Sequence, residues 1–211
     1  FGRSTSVELR GEGYSLDVEA AGEFSFNAAE DDLATLEDSL QIEEQHDGVT
    51  RSVRFQKEGG RITRSFQREG EAIDAGPDTQ QWLARVIPSV LRSTGINAEA
   101  RVARLAGRGG VALVLDEIAL IEADHVRAAY LSLLFARGPL QPTELERAIA
   151  LAGAIESDYE KRQALAAAMQ QPLDVERQRA VHRIAAGFAS DYERRELLQA
   201  ALPLLARTPQ A

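Results

Sequence analysis

The chain has 211 residues, 44% of them apolar and 27% charged, which suits one large domain or two small ones and excludes a disordered, fibrous or disulfide-stapled protein. With 24 basic and 33 acidic residues the net charge is −9 and the pI near 5.0. Nucleic acid and anionic membrane are therefore not expected as main partners, since both call for a net basic face. The absence of cysteine removes disulfides, Cys-based zinc sites and thiol nucleophiles.

The charge is unevenly placed. Residues 1–47 hold 2 basic against 13 acidic residues, whereas 77–211 hold 16 of each. Electrostatic steering therefore favours a basic partner at the first strands. No apolar run approaches the ~20 residues of a membrane span. A start at Phe1 rather than Met is what an excised or processed fragment would show, leaving room upstream for a signal or anchor. Only Lys57 and Lys161 among the basic residues are lysine, a composition that fits a GC-rich genome.

From Ser6 to about Ala75 the hydrophobic period is two. Val7 and Leu9, then Tyr14, Leu16 and Val18, then Phe24 and Phe26 alternate with polar residues as half-buried strands do. Ala28–Asp38 is less regular and reads as a turn or short helix, with the acids Glu30, Asp31 and Asp32 in a solvated loop. Alternation resumes with Leu40 and Ile42, Val53 and Phe55, and Ile62 and Phe66. The connectors His46-Asp47-Gly48 and Glu58-Gly59-Gly60 have the glycine content of tight hairpins. This pattern predicts an antiparallel meander of about five or six strands.

At Gly76-Pro77-Asp78 the period becomes helical. Asp78 is the expected N-cap of a helix whose Trp82, Val86 and Val90 share one face and which Pro88 should kink. Thr94-Gly95 stops it, and Asn97 is placed to cap Ala98–Leu105. Gly107-Arg108-Gly109-Gly110 lacks the Lys-Ser/Thr pair of a phosphate loop and reads as a helix-breaking turn. Beyond it the pattern is helix–turn–helix throughout.

Three segments of this half are related: Ile121–Arg127, Ile155–Lys161 and Phe188–Arg194. Their aspartates, Asp124, Asp158 and Asp191, lie 34 and 33 residues apart. A leucine follows each at the seventh position (Leu131, Leu165, Leu198) and a base at the third (Arg127, Lys161, Arg194). Val114, Ala148 and Val181 also correspond, as do Ile118, Ala152 and Ala185. Ser157-x-x-Glu160 and Ser190-x-x-Glu193 are capping-box sequences; the first copy has no box, so Asp124 is its expected cap. Each repeat is then a helical hairpin, its first helix entered at Pro142-Thr143 or Asp174. One hairpin cannot bury its apolar stripe alone, so the copies should stack. Gly76–Leu105 is a candidate degenerate copy at the start of the stack.

The predicted fold is α+β: an antiparallel β-meander over 1–76, then a helical-repeat domain over 77–211, with repeats at about 107–138, 139–171 and 172–205. The second part reads as stacked helical hairpins, a short HEAT-like α-solenoid. The markers of tetratricopeptide repeats are missing.

Asp124, His125, Asp158, Tyr159, Asp191 and Tyr192 form the candidate interaction surface, because they occupy equivalent turns along one edge of the stack. A purely structural role is the competing expectation, with Asp favouring a helix N-terminus and Tyr packing between repeats. Arg127, Lys161 and Arg194 are expected to pair with the aspartates at i, i+3. Of the three histidines, His46 falls in a hairpin turn, His125 replaces Tyr159 in its repeat, and His182 is expected to be a partly buried packing residue. None has metal-ligand spacing, and no nucleophile elbow, Walker loop or dinucleotide fingerprint occurs, so no catalytic residue, cofactor or metal is predicted.

The Ile-x-Ser-Asp-Tyr-Glu-Lys turn at Ile155–Lys161, with Phe188–Arg194, the weaker Ile121–Arg127 and Trp82-Leu83-Ala84-Arg85 after the sheet, resembles an uncharacterised bacterial family of extracytoplasmic modules. In that family a β-meander precedes such repeats, and the module can follow membrane-spanning segments, including those of some antibiotic-sensor-like membrane metallopeptidases. The resemblance covers roughly Ser6 to Leu205. It carries over no catalytic residue, and the protease motif of such sensors does not occur here.

The expectation is a non-catalytic extracytoplasmic interaction or sensory module of a bacterial membrane-associated protein. It would bind a protein or peptide, not nucleic acid, and reach the membrane only through a segment outside this chain. The rival is a cytosolic helical-repeat scaffold or adaptor, and an enzyme of unknown chemistry ranks third.

Overall fold

The computed structural model describes residues 4–11 and 13–205, with side chains over 6–11 and 13–200. The starting residue Phe1 and the outermost ends of both expected domains lie outside the described residues. The architecture is α+β, with eight strands followed by seven helices among the described residues. The strands are β1 (Ser4–Gly11), β2 (Tyr14–Ala21), β3 (Phe24–Phe26), β4 (Leu33–Leu36), β5 (Ser39–His46), β6 (Val49–Glu58), β7 (Arg61–Arg68) and β8 (Glu71–Ile73). The helices are α1 (Pro77–Thr94), α2 (Ala98–Ala119), α3 (Asp124–Ala136), α4 (Pro142–Gly153), α5 (Asp158–Ala168), α6 (Val175–Ala186) and α7 (Asp191–Leu205).

Two compact units divide the chain, residues 1–96 and residues 97–211. The division falls after α1, later than the 76/77 boundary drawn from the change of period. The reason is packing: Trp82, Leu83, Val86, Ile87, Val90 and Leu91 of α1 are buried in one cluster with the sheet. Residues 76–105 are therefore not an extra repeat, because α1 spends its apolar face on strands.

In the first unit, six strands pair antiparallel in the order β1-β2-β5-β6-β7-β8, and β3 and β4 form a separate hairpin. The stretch 28–38, expected as a turn or short helix, supplies the turn and second strand of that hairpin. Leu33 and Leu36 are buried there with Phe26. Asp32, expected in a solvated loop, instead accepts from Arg64 Nε at 2.9 Å, tying the hairpin to β7.

Main-sheet alternation is strict. Leu16, Val18, Leu40, Ile42, Val53 and Phe55 are fully buried on the inner face, each contributing about 1.5–3 kcal/mol. The opposite face carries the charge: Glu8, Asp17 and Glu43 stand in direct register across β1, β2 and β5. The β5–β6 turn is Asp47-Gly48, both with positive φ, a type I′ hairpin that matches the strand twist. Entry into α1 differs from expectation. Gly76 is the N-cap and Pro77 the first helical residue, while Thr79 Oγ1 accepts from Gly76 N–H at 2.9 Å. Asp78 lies inside the first turn, 3.5 Å from Arg51. Pro88 lies within α1, which continues to Thr94.

In the second unit, Gly109 and Gly110 break the helical path of α2, Gly110 at φ +67° and ψ −164°, a region reserved for glycine. The expected turn at 107–110 is thus a kink between two helical segments. Beyond it, hairpin partners α4–α5 and α6–α7 are in contact. Second helices pack α3 on α5 and α5 on α7, and first helices α2 on α4 and α4 on α6. The repeat-equivalent Val114, Ala148 and Val181, and Ile118, Ala152 and Ala185, all lie in one buried cluster. Leu131 and Leu165 are fully buried; Leu198 is 41% exposed, and Leu197 is the buried residue of that copy.

Candidate functional site

The three repeated turns are joined through their aspartates. Asp158 begins α5, and its carboxylate accepts the backbone N–H of Ser190, in the next turn, at 2.7 Å. Asp124 begins α3 and accepts from Ser157 N–H at 2.7 Å and Glu156 N–H at 3.2 Å. These aspartates therefore hold the following repeat rather than cap their own helix. Asp124 does not cap α3, which has Ala123 at the N-cap and no side-chain cap bond.

The capping boxes are correspondingly half-made. Ser157 Oγ accepts from Glu160 N–H at 3.4 Å and Ser190 Oγ from Glu193 N–H at 3.3 Å. The return bond from glutamate is replaced by the aspartate of the preceding repeat, likewise a charge-assisted carboxylate acceptor for the same N–H. Glu193 is thereby released to pair with Arg162 of the preceding hairpin. Half-buried in its joint, Asp158 is held below the usual carboxylate pKa, first by the Ser190 N–H and also by Lys161, against the opposing effect of desolvation.

The expected i, i+3 pairs form at Asp158–Lys161 (3.5 Å) and Asp191–Arg194. Arg127 departs from the pattern and donates to the Ile121 carbonyl at 2.8 Å and the Ala154 carbonyl at 3.2 Å. Lys161 also stands over the Phe188 ring, 5.4 Å from its centroid.

Of the six candidate surface residues, Asp124 and Asp158 belong to the joints. Tyr159 and Tyr192 do not pack between repeats: they are 52% and 58% exposed. Arg162 and Arg195 each sit 5.4 Å over the ring of the tyrosine three residues before them. His125, at the equivalent position of its repeat, is exposed too, and Asp191 is exposed. His182, expected as a packing residue, is exposed on α6. Among the described residues no group of three or more His, Cys, Asp or Glu is placed to hold a metal ion, and no helix is long and apolar enough to cross a membrane.

A second polar cluster lies in the first unit. Glu44 is 1% exposed, at an inner-face position of β5 two residues beyond Ile42. Its carboxylate accepts from Trp82 Nε1 at 2.8 Å and from Arg85 at 2.8 and 2.6 Å. Burial pushes the neighbouring Tyr14 hydroxyl above its ordinary pKa, with the Glu44 charge acting in the same direction and Arg85 and Ser89 opposing. Glu44, Trp82 and Arg85 border an open cleft of about 470 Å³ that is also lined by His46, Arg51, Arg68 and Asp78. Sequence reasoning did not single out Glu44, although a carboxylate at the apolar parity of β5 was its visible signal.

No family model, curated protein or solved structure matches the chain.

Proposed function

We propose that the chain is a non-catalytic interaction module whose second unit is a short HEAT-like stack of helical hairpins, binding a protein or peptide along the edge formed by the repeated turns. The observation that carries this reading is the pair Tyr159 and Tyr192, exposed at equivalent turns with an arginine over each ring. Folding leaves these aromatics in water, although Asp158 beside Tyr159 is used by the fold. Large, rigid rings with few torsions give contact area at low entropic cost, which is why Tyr and Arg are prominent in binding surfaces. The successive packing of α3, α5 and α7 supports the stacked arrangement and sets the turns at repeat spacing.

An extracytoplasmic, membrane-associated setting belongs to the same proposal and rests on the resemblance of Ile155–Lys161 and Phe188–Arg194 to the bacterial module family. The test is selection of a displayed peptide library on the full chain, followed by challenge with Tyr159→Ala/Tyr192→Ala and with His125→Ala. Selected peptides should lose most of their affinity for the tyrosine variant. Peptides that bind both forms equally would remove the turn edge as the surface.

A further inference from the structure

The inner face of the main sheet changes character between two neighbouring rows. In one row Val18, Ile42, Val53, Phe66 and Ile73 stand in register from β2 to β8, apolar throughout, and the first four are buried. Two residues along each strand, the row of the same face reads Leu16, Glu44, Arg51, Arg68 and Glu71. This polar row, with Asp78, Gln81, Trp82 and Arg85 of α1, encloses the cleft of about 470 Å³.

Arg51 and Arg68 are direct partners across β6 and β7, where Cβ atoms are about 4.5–5.5 Å apart and like charges destabilise the pair. The acids of the cleft leave this repulsion largely in place. Glu44 is occupied by Trp82 and both terminal nitrogens of Arg85. Asp78 meets Arg51 only at 3.5 Å and is 65% exposed, so solvent screens that pair. Asp47, 87% exposed in the β5–β6 turn, lies 3.9 Å from His46. Arg68 makes no ion pair among the described residues, although Glu71 faces it in register. The Arg51 side chain is itself only 22% exposed, so a charge beside it is screened less than one on the open surface. Residues 48–76 hold 6 basic against 4 acidic residues, a local reversal of the acidic first strands.

We propose that this cleft binds a small molecule through a doubly charged oxyanion, a phosphate or a dicarboxylate, clamped between Arg51 and Arg68. Paired guanidinium N–H donors match the geometry of such oxygens, and a dianion removes the repulsion within the register pair. The volume falls in the range of about 300–1,000 Å³ in which small-ligand sites lie. Gln81 and the Trp82 ring would meet the remainder of the ligand. The site belongs to the first unit and is independent of the turn edge of the second.

The probes are inorganic phosphate and succinate, titrated separately into the full chain at constant ionic strength and followed by fluorescence of Trp82, the sole tryptophan, and by calorimetry. Saturable one-to-one binding of at least one probe is expected, with a Kd of about 1 mM or tighter. Binding of phosphate alone assigns the clamp to a phosphate group, and binding of succinate alone assigns it to a dicarboxylate. Affinity should fall at least about tenfold in Arg68→Ala, whose side chain is exposed and whose loss relieves the like-charge pair, so its melting temperature without anion should not drop. The bound probe should raise the melting temperature of the parent chain and leave that of Arg68→Ala in place. Arg54→Ala, an exposed arginine of β6 outside the cleft, should bind as the parent does. Failure of both probes to saturate would overturn the proposal, as would equal affinity in Arg68→Ala. An equal loss in Arg54→Ala would overturn it too, by reducing the effect to overall charge.

Discussion

The carboxylate of Asp158 holds the backbone N–H of Ser190 at 2.7 Å, and Asp124 holds that of Ser157 at the same distance one repeat earlier. A residue that in a lone helix would serve its own N-terminus is here the clasp between neighbouring hairpins. Asp158→Ala should therefore destabilise the chain by about 1.5–3 kcal/mol, the range for a hydrogen bond to a charged group. Asp191→Ala, which breaks no such joint, should stay within about 0.5 kcal/mol. Urea unfolding followed by helix ellipticity measures both, and equal losses at the two positions would refute the clasp.

The same joint sets a pH dependence. The Asp158 pKa is depressed in the folded state, so the deprotonated acid stabilises the fold above the unfolded carboxylate value of about 4, and this contribution is lost as pH falls through the folded pKa. Asp158→Asn should flatten the acid limb of a stability–pH curve while lowering stability at neutral pH. Carboxyl-carbon NMR of the parent chain should show Asp158 titrating below the model-peptide value.

Each serine cap contributes separately. Ser157→Ala and Ser190→Ala should cost about 1 kcal/mol apiece, through loss of the Oγ acceptor for Glu160 and Glu193 N–H. The backbone N–H held by the preceding aspartate survives both substitutions, so Ser190→Ala and Asp158→Ala remove different bonds of one turn. Chemical denaturation of the two single variants and the double variant gives their coupling. Unchanged midpoints in both serine variants would undo the assignment of the turn.

In the first unit, Glu44 is the polar link between β5 and α1. Glu44→Ala leaves the Trp82 indole N–H buried without its acceptor and should cost about 2–3 kcal/mol. The Arg85 part of the loss is muted by solvent, since that side chain is 50% exposed. Trp82 is the sole tryptophan, so its fluorescence reports this unit directly. A fluorescence-detected transition that does not move would show that the Glu44 bonds contribute nothing.

Tyr14 gives a check at the other end of the pH scale. Its hydroxyl is raised first by burial and next by Glu44, so the neutral form stabilises the fold below the unfolded value of about 10, and that contribution fades as pH rises through the folded pKa. The late part of a tyrosinate absorbance titration should therefore lose amplitude in Tyr14→Phe.

Much of this architecture is legible in the residues themselves. Alternation at Leu16–Val18, Leu40–Ile42 and Val53–Phe55 marks strands because side chains point to opposite faces, and Asp47-Gly48 marks a type I′ turn because two positive φ values favour those residues. The shift to helix at Gly76-Pro77 and the three aspartate turns are equally local. Ala28–Asp38 was obscure because a four-residue strand, Leu33–Leu36, is too short to display a period. Glu44 had a local signal, its parity with Leu40 and Ile42, but its partners Trp82 and Arg85 lie about 40 residues on, beyond the reach of any periodicity.

The uneven charge, the period change and the 33- to 34-residue repeat are thus properties of the sequence alone, since each follows from residue type and spacing. Tertiary structure decided which surfaces meet. An amphipathic stripe states that α1 must bury a face without stating against what, and the choice of the sheet moved the boundary between the units from 76/77 to 96/97. A carboxylate at a helix start favours any nearby N–H, and only packing determined that Asp124 and Asp158 reach the next turn while Asp191 points into water.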